Sequence, residues 1–369
     1  MKIMTIFGTR PEGIKMAPLV KKMKADKELT CIVVNTAQHR DQLDQVLETF
    51  SIEPEYDLNI MKEKQTPESL TADILTKLSA ILEKEKPDLV LVHGDTTTTF
   101  AGAYAAFLKQ IPIGHVEAGL RTYERYSPFP EELNRQLVGR LATYHFAATE
   151  RNRQNLLKEN VADKDIVVTG NTVIDALYQI SNQNIPFSSE LAPIFNNGLK
   201  TILMTTHRKE NMDQLKSVYE AINQIINEHP DVQVVFPVHK NPSVREKVST
   251  YLHTNERVHL IEPLAYADFV NAMKHSYLII TDSGGIQEEA PSLGIPVLVA
   301  RDTTERQEGV EAGTLKLVGT NNHRIYEETK QLLTNQVLYD LTSQIQNPYG
   351  DGQTCERIIQ FIKQSQKKA

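Results

Sequence analysis

Residues 89–116 read LVLVHGDTTTTFAGAYAAFLKQIPIGHV, and this stretch decides the fold class. Leu89–Val92 and Ile111–Val116 are short apolar runs without polar alternation, so both faces of each strand need cover. The intervening residues 96–110, rich in alanine and closed by Lys109 and Gln110, suit a crossover helix. Strand, helix and neighbouring strand in that order make a parallel α/β unit.

The same alternation extends outward in both directions. Upstream lie KIMTIF (2–7), the helical PEGIKMAPLVKKMKA (11–25), CIVVNT (31–36) and the helical HRDQLDQVLETF (39–50); downstream lies YHFAAT (144–149). Near Lys200 the pattern restarts with TILMTTH (201–207), a helix through Ile226, VQVVFPV (232–238), a helix from Val244, RVHLIE (257–262), YLIITD (277–282) and IPVLVA (295–300). This predicts two Rossmann-like, doubly wound domains, in keeping with a prior of about 150 residues per domain for a chain of 369. The stretch 181–198, rich in Asn, Pro and Ser, is a surface connection, and TGNTVIDAL (169–177) marks the start of a new strand-to-helix step. The crossover is therefore placed near Gly170, giving domains 1–169 and 170–354.

Composition narrows the class. A net charge of −7 and a pI near 5.9 argue against a nucleic-acid binder, which needs a concentrated basic face. Cys31 and Cys355 show no metal-ligand spacing and are expected to be reduced thiols. The short apolar run before Gly8 does not suit a signal peptide, and no run approaches ~20 apolar residues. A cytoplasmic protein without membrane or nucleic-acid partners is expected.

Open α/β sheets bind ligands beyond the carboxyl ends of their strands, and two such domains facing one another form a cleft there. Four groups of residues stand at those ends. In Gly8-Thr9-Arg10-Pro11-Glu12-Gly13-Ile14-Lys15 the lysine falls one position too late for a Walker A loop and no Ser or Thr follows it. Arg10 and Lys15 could present cations to a diphosphate, or be solvated charges on an ordinary helix start. His207-Arg208-Lys209-Glu210-Asn211 follows the strand at 201–206, and His207 could hold or protonate a diphosphate, or be plain surface charge.

In Thr281–Glu289 (TDSGGIQEE), Gly284 and Gly285 permit close backbone approach to a phosphate, and a carboxylate farther along could accept ribose hydroxyls. The alternative is a glycine turn with a helix cap. Asp95 and Glu117 end neighbouring strands, as general acid/base pairs often do, although Asp95 also suits a helix N-cap. Glu131 and Arg135 stand one helical turn apart, and on residue types alone the reading as a surface ion pair prevails. His93 and His115 read as satisfied core histidines, residues 123–129 as a cleft-covering or self-packed aromatic loop, and the lysines of the C-terminal helix as a solvated face.

Taken together, GTRPEGIK, AQHRDQLDQVL, VHGDTTTT, GHVEAGLRT, SPFPEELNRQ, THRKEN, TDSGGIQEEAPSLG, RDTTER, GVEAGT and NPYGDG resemble the non-hydrolysing UDP-N-acetylglucosamine 2-epimerases, in family order and almost end to end. The resemblance implies the glycosyltransferase-B architecture, with helix 355–369 returning to the first domain. It implies an isomerase that interconverts UDP-GlcNAc and UDP-ManNAc through 2-acetamidoglucal and UDP, without a cofactor or metal, for cell-wall or capsule polysaccharide synthesis. Arg10, His207, Ser283, Gly284 and Gly285 then match diphosphate contacts, Glu289 the ribose ligand and Phe269 a uracil contact. Lys15, Asp95, Glu117, Glu131, Arg135 and Arg306 match positions for sugar handling or catalysis.

A homodimer and a second UDP-GlcNAc, bound as activator, are further family expectations. Gln38 and His239 fit the activator site, whereas Asp41 and Lys64 depart from it, which predicts weakened or altered activation. Gly13 in place of Ala, Lys209 in place of Arg, and Met212-Asp213 in place of Leu-Gly are other departures. A glycosyltransferase of the same fold and a non-catalytic sugar-nucleotide sensor are the competing readings.

Overall fold

The computed structural model describes residues 1–62, 65–206, 214–252 and 255–366. The chain forms two compact units, Met1–Tyr178 with Tyr349–Ala369, and Gln179–Pro348. The first division thus falls inside the helix Thr172–Ser181, beyond the crossover placed at Gly170.

The first unit holds β1 (Lys2–Phe7), β2 (Thr30–Asn35), β3 (Tyr56–Asp57), β4 (Leu89–His93), β5 (Ile113–Ala118), β6 (Tyr144–Ala147) and β7 (Ile166–Val168) in the order β3-β2-β1-β4-β5-β6-β7. All the pairings are parallel. The second unit holds β8 (Lys200–Thr205), β9 (Val232–Pro237), β10 (Val258–Ile261), β11 (Leu278–Thr281), β12 (Val297–Val299) and β13 (Leu315–Leu317), also parallel, in the order β10-β9-β8-β11-β12-β13. Both are doubly wound α/β sheets of the Rossmann type, as the unalternated strands predict. β3 and β13 were not foreseen, because two or three residues cannot display a period.

Buried strand residues explain the layering. Met4, Ile6, Val90 and Val92 pack with Leu78, Leu82 and Ala103 from covering helices, all at most 1% exposed. In the second unit Ile202, Val234, Phe236 and Ile280 pack on Val218, Ile222 and Ile225. Burial of each large apolar side chain contributes about 1.5–3 kcal/mol before entropy is subtracted.

The order of each sheet reverses once, between β1 and β4 and between β8 and β11. Helices leave to opposite faces at such a point, so the backbone parts and leaves room for a ligand. The turns after β1 and β4 are residues 8–9 and 94–96. Gly8 is required by close approach there, since a Cβ would lie 1.8 Å from Thr36 Oγ1 and 2.8 Å from Thr98 Oγ1. Gly13, one of the departures from the family pattern, faces Leu43, whose Cδ1 would stand 2.3 Å from an added Cβ.

The C-terminal helix Thr354–Gln366 belongs to the first unit. The buried Asp175 carboxylate accepts from Thr354 N and Cys355 N at 3.2 and 3.0 Å, capping that helix. Lys363 donates to Asp26 at 2.5 Å and to Glu28 at 2.7 Å, so this lysine is a tether and not part of a purely solvated face.

Three histidines sit in the first sheet. Burial holds His93 and His145 near a pKa of about 4 and His115 near about 3, so they fold neutral. His115 Nε2 donates to Gly94 O at 2.7 Å, whereas His93 Nε2 has no hydrogen-bond partner among the described residues. Only part of the expected satisfaction is therefore present. An unfolded chain protonates these groups near pH 6.5 while the native chain does not, so they withdraw stability as pH falls from ~6.5 to ~4, by about 1.4 kcal/mol per pH unit each at most. Urea titrations of His115→Gln beside the unsubstituted chain should show a loss of stability on acidification that is shallower by about one proton; equal slopes would contradict the assignment.

Candidate active site

The turns after β1, β4 and β11 carry Asp95 and Ser283, and lead directly into Arg10 and the Gly284-Gly285 pair. In the first unit, helix Arg10–Ala25 starts at Arg10, with Thr9 as N-cap and Pro11 in its first turn. Lys15, on the same helix, donates to Glu117 Oε2, and both side chains are nearly buried. Glu117 lies at the end of β5 with φ of +63°, in the left-handed region that disfavours a side chain. Asn171 donates to the same Oε2 at 2.8 Å, and His93 Nε2 stands 3.8 Å from it.

Asp95 follows β4. The cap of helix Thr97–Leu108 is Thr96, whose hydroxyl accepts from Thr99 N, so the capping alternative for Asp95 falls away. Its carboxylate instead accepts from Arg135 Nη2 at 2.6 Å, and its main-chain oxygen accepts from Asn134 at 3.0 Å. Arg135 is 5% exposed and also stands 3.3 Å from Glu132. It is no surface ion pair. Burial pushes the Asp95 carboxyl up; the Arg135 guanidinium pulls it back, and the charges of Glu117 and Glu131 raise it further. The net direction is upward, which favours a carboxyl able to hold a proton.

Glu131, the first residue of helix Glu131–Leu141, lines a cavity of about 580 Å³ with Thr9, Pro11, Gln38, Asp95, Thr96 and Asn134. Gln38 thus shares a cavity with Asp95 and Glu131, and its Oε1 accepts from Thr98 at 2.9 Å. The neighbouring loop is anchored by Glu132, which accepts from Thr122 N and Tyr123 N, both at 3.0 Å. Tyr123, Tyr126 and Phe129 on that loop are more than half exposed.

In the second unit, Ser283 is the N-cap of the short helix Gly284–Glu289. Thr281 Oγ1 accepts from Ser283 N at 2.9 Å and pairs with Thr205 Oγ1 at 2.6 Å. The Arg306 guanidinium lies directly over Gly284, where an added Cβ would come within 3.0 Å of it. Glu288 Oε1 accepts from Arg306 Nε at 2.9 Å, and Glu305 stands 3.5 Å away. Glu289 is 7% exposed and accepts from the Tyr266 hydroxyl at 2.7 Å. Phe269 is half-buried one turn farther along helix Tyr266–Lys274. His239 is exposed after β9, its Nδ1 accepting from Asn241 N at 3.1 Å. His207, with the rest of 207–213, and Lys64 lie outside the described residues.

The first unit thus gathers Lys15, Asp95, Glu117, Glu131 and Arg135 around one sheet end, and the second gathers Ser283, Gly284, Gly285, Glu289 and Arg306 around another. Sequence reasoning missed Asn134, Asn171 and Tyr266, neutral partners that only a folded chain brings to the charged groups. Among the described residues, no three His, Cys, Asp or Glu side chains are arranged to hold a metal ion. No described helix is long and apolar enough to cross a membrane.

Comparison with known proteins bears on this arrangement. A family model described as UDP-N-acetylglucosamine 2-epimerase matches residues 21–363. The UDP-N-acetylglucosamine 2-epimerase of Bacillus subtilis is 55% identical over 363 residues, covering 98% of this chain and 95% of that one. A solved UDP-GlcNAc 2-epimerase from Neisseria meningitidis, bound to UDP-GlcNAc, is 47% identical with a TM-score of 0.89, covering 99% of this chain and 100% of that one. The S. aureus protein MnaA, solved with UDP, is 53% identical with a TM-score of 0.89, covering 99% of this chain and 97% of that one.

The Asp95–Arg135 pair yields a direct test. Arg135→Gln removes the cation that holds the Asp95 carboxyl down, so its titration midpoint should rise in carboxyl-carbon NMR. An unmoved midpoint would mean that the guanidinium does not govern the group.

Proposed function

The chain belongs to the UDP-N-acetylglucosamine 2-epimerase family, and from that premise we propose that it interconverts UDP-GlcNAc and UDP-ManNAc by eliminating UDP and adding it back through 2-acetamidoglucal. The C2 proton of the substrate is too weakly acidic for direct removal at neutral pH. As the C1–O bond to UDP breaks, positive charge builds at C1 and the neighbouring C2–H becomes acidic. A carboxylate takes the proton, the C2–H electron pair becomes the C1=C2 bond, and UDP leaves with the C1–O pair. Delivery of a proton to the opposite face of C2 and return of the UDP oxygen to C1 complete the inversion. No net electrons are exchanged, so the reaction as written needs no redox partner.

The observation that carries this reading is the convergence of three carboxylates in one unit, with the Asp95 carboxyl pushed up by burial and by the charges of Glu117 and Glu131. A proton shuttle needs one group charged and another protonated at the same pH, and an acid raised by burial and by neighbouring carboxylates, as Asp95 is, suits the protonated part. Asp95, Glu117 and Glu131 are accordingly the proton-handling groups. Lys15 and Arg135 supply positive charge beside Glu117 and Asp95 and face the sugar.

For the leaving nucleotide, Ser283, Gly284, Gly285 and Arg306 in the second unit, with Arg10 and His207, receive the diphosphate. Fixed cations and backbone N–H groups stabilise the charge as it develops on UDP, without reorganisation at the moment of reaction. Glu289, oriented by Tyr266, accepts the ribose hydroxyls, and Phe269 packs on the uracil. The same reading makes the enzyme a cytoplasmic homodimer, with Gln38 and His239 as candidates for contact with a second, activating UDP-GlcNAc. The changes at Asp41 and Lys64 weaken or alter that activation.

Incubation with UDP-GlcNAc in deuterated water, with no acceptor, should yield UDP-ManNAc carrying deuterium at C2. A glycosyltransferase or a sensor would leave the sugar unlabelled, and either result would end this reading. Asp95→Asn, Glu117→Gln and Glu131→Gln should each lower turnover by about a hundredfold to ten-thousandfold, with UDP affinity by calorimetry nearly unchanged. Gly284→Ala, which drives a methyl group into the Arg306 guanidinium, should instead weaken UDP binding by about tenfold or more; unaltered affinity would remove this turn from the diphosphate site.

A further inference from the structure

Two motifs, TGN at 169–171 and NPYGDG at 347–352, have no part in the chemistry above. Within the first unit, the part of the second motif from Tyr349 onward meets the first. Asn171 N donates to Tyr349 O at 2.7 Å. A Cβ on Gly170 would stand 2.7 Å from Thr354 Oγ1 and 3.3 Å from Gly350 Cα, so the returning chain presses on this turn backbone to backbone. Asn171 Oδ1 accepts from Val173 N at 3.0 Å, as an N-cap does for helix Thr172–Ser181. The main-chain N–H bond pins the backbone and the Oδ1 bond restrains the side chain, and its Nδ2 meets Glu117 Oε2 at 2.8 Å.

We infer that Asn171 is a positioning residue for Glu117, through which the returning C-terminal segment fixes the orientation of a proton-handling carboxylate. The inference rests on the role given to Glu117 above. Glu117 stands in the left-handed backbone region, and contacts to its carboxylate come from Lys15 and Asn171. Lys15 supplies charge from the helix before it, but an ammonium on a long flexible stem sets no direction. A planar amide whose Oδ1 is already engaged by Val173 N, on a backbone pinned to Tyr349, does. Among the described residues, other ionisable groups near the carboxylate include His93, which burial keeps neutral with a pKa near about 4, and Asp95, whose titration senses the Glu117 charge.

Two variants separate positioning from folding. Asn171→Ser keeps an oxygen for the helix cap but is too short to reach Glu117, and Asn171→Asp keeps shape and cap but turns the donor into a second carboxylate. Turnover, KM, thermal midpoint and the Glu117 carboxyl-carbon titration, assigned with Glu117→Gln, are measured on the full chain. Both variants should retain a native thermal midpoint and a KM within about twofold, while turnover falls about tenfold for Ser and further for Asp. The Glu117 titration should move to higher pH in both, since a donor to the charged form is lost. Wild-type turnover and an unmoved titration in Asn171→Ser, beside an inactive Glu117→Gln, would overturn the inference while sparing the functional reading. An active Glu117→Gln would instead remove Glu117 from the reaction, and the inference with it.

Discussion

The arrangement of the first unit depends on one buried carboxylate. Glu12 is 2% exposed. Its Oε2 accepts from Gly8 N at 3.1 Å, Thr9 N at 2.8 Å and Thr9 Oγ1 at 2.8 Å, and its Oε1 accepts from Thr96 Oγ1 at 2.8 Å and Thr99 Oγ1 at 3.0 Å. Burying a carboxylate costs several kcal/mol unless donors surround it. Burial does push this carboxyl above the ordinary glutamate range, while Thr9, Thr96, Gly8 and Thr99 pull it back. Both turns at the reversal of the sheet are thereby fixed to one side chain. Arg10 leaves one of these turns and Asp95 lies in the other, so the spacing between a cation and an acid is set by a group bonded to both turns.

The second unit solves the corresponding problem with neutral groups and an arginine. The Thr205–Thr281 hydroxyl pair joins the ends of β8 and β11, and Thr304 donates to Gln287 at 2.6 Å, tying the loop before Arg306 to the short helix. Glu288 and Glu305 flank the Arg306 guanidinium. An arginine held this way keeps its planar donors aimed with little entropy left to lose when an anion arrives. The first unit therefore sets its acids beside Lys15 and Arg135, whereas the second sets an arginine between two acids over a glycine turn.

The layer order of both units was legible because fully buried strands leave a local mark. Lys2–Phe7 is both the predicted and the observed first strand, and the other predicted strands recur within a few residues. Strand ends were legible as well, so Asp95, Glu117 and the SGG turn stood out as residues leaving buried strands. Where alternatives had been left open, tertiary contacts decided. Asp95 was free to bind Arg135 because Thr96 already capped the helix, and the Arg135 that looked like a surface partner of Glu131 is buried. Lys363, read as solvated, is 28% exposed and paired.

By itself, the sequence determined the two-fold repetition of a parallel α/β pattern, the strand ends and the chemical types placed there, because periodicity and turn residues act over a few neighbours. The tertiary structure alone decided which of those groups touch. Asn171 meets Glu117 across 54 residues, Glu12 meets Thr96 across 84, and Tyr266 meets Glu289 across 23. Such pairings depend on how whole helices and strands pack. No local preference of Asn, Thr or Tyr encodes them, since these residue types serve equally well as caps, turn residues and surface polar groups until packing supplies a partner.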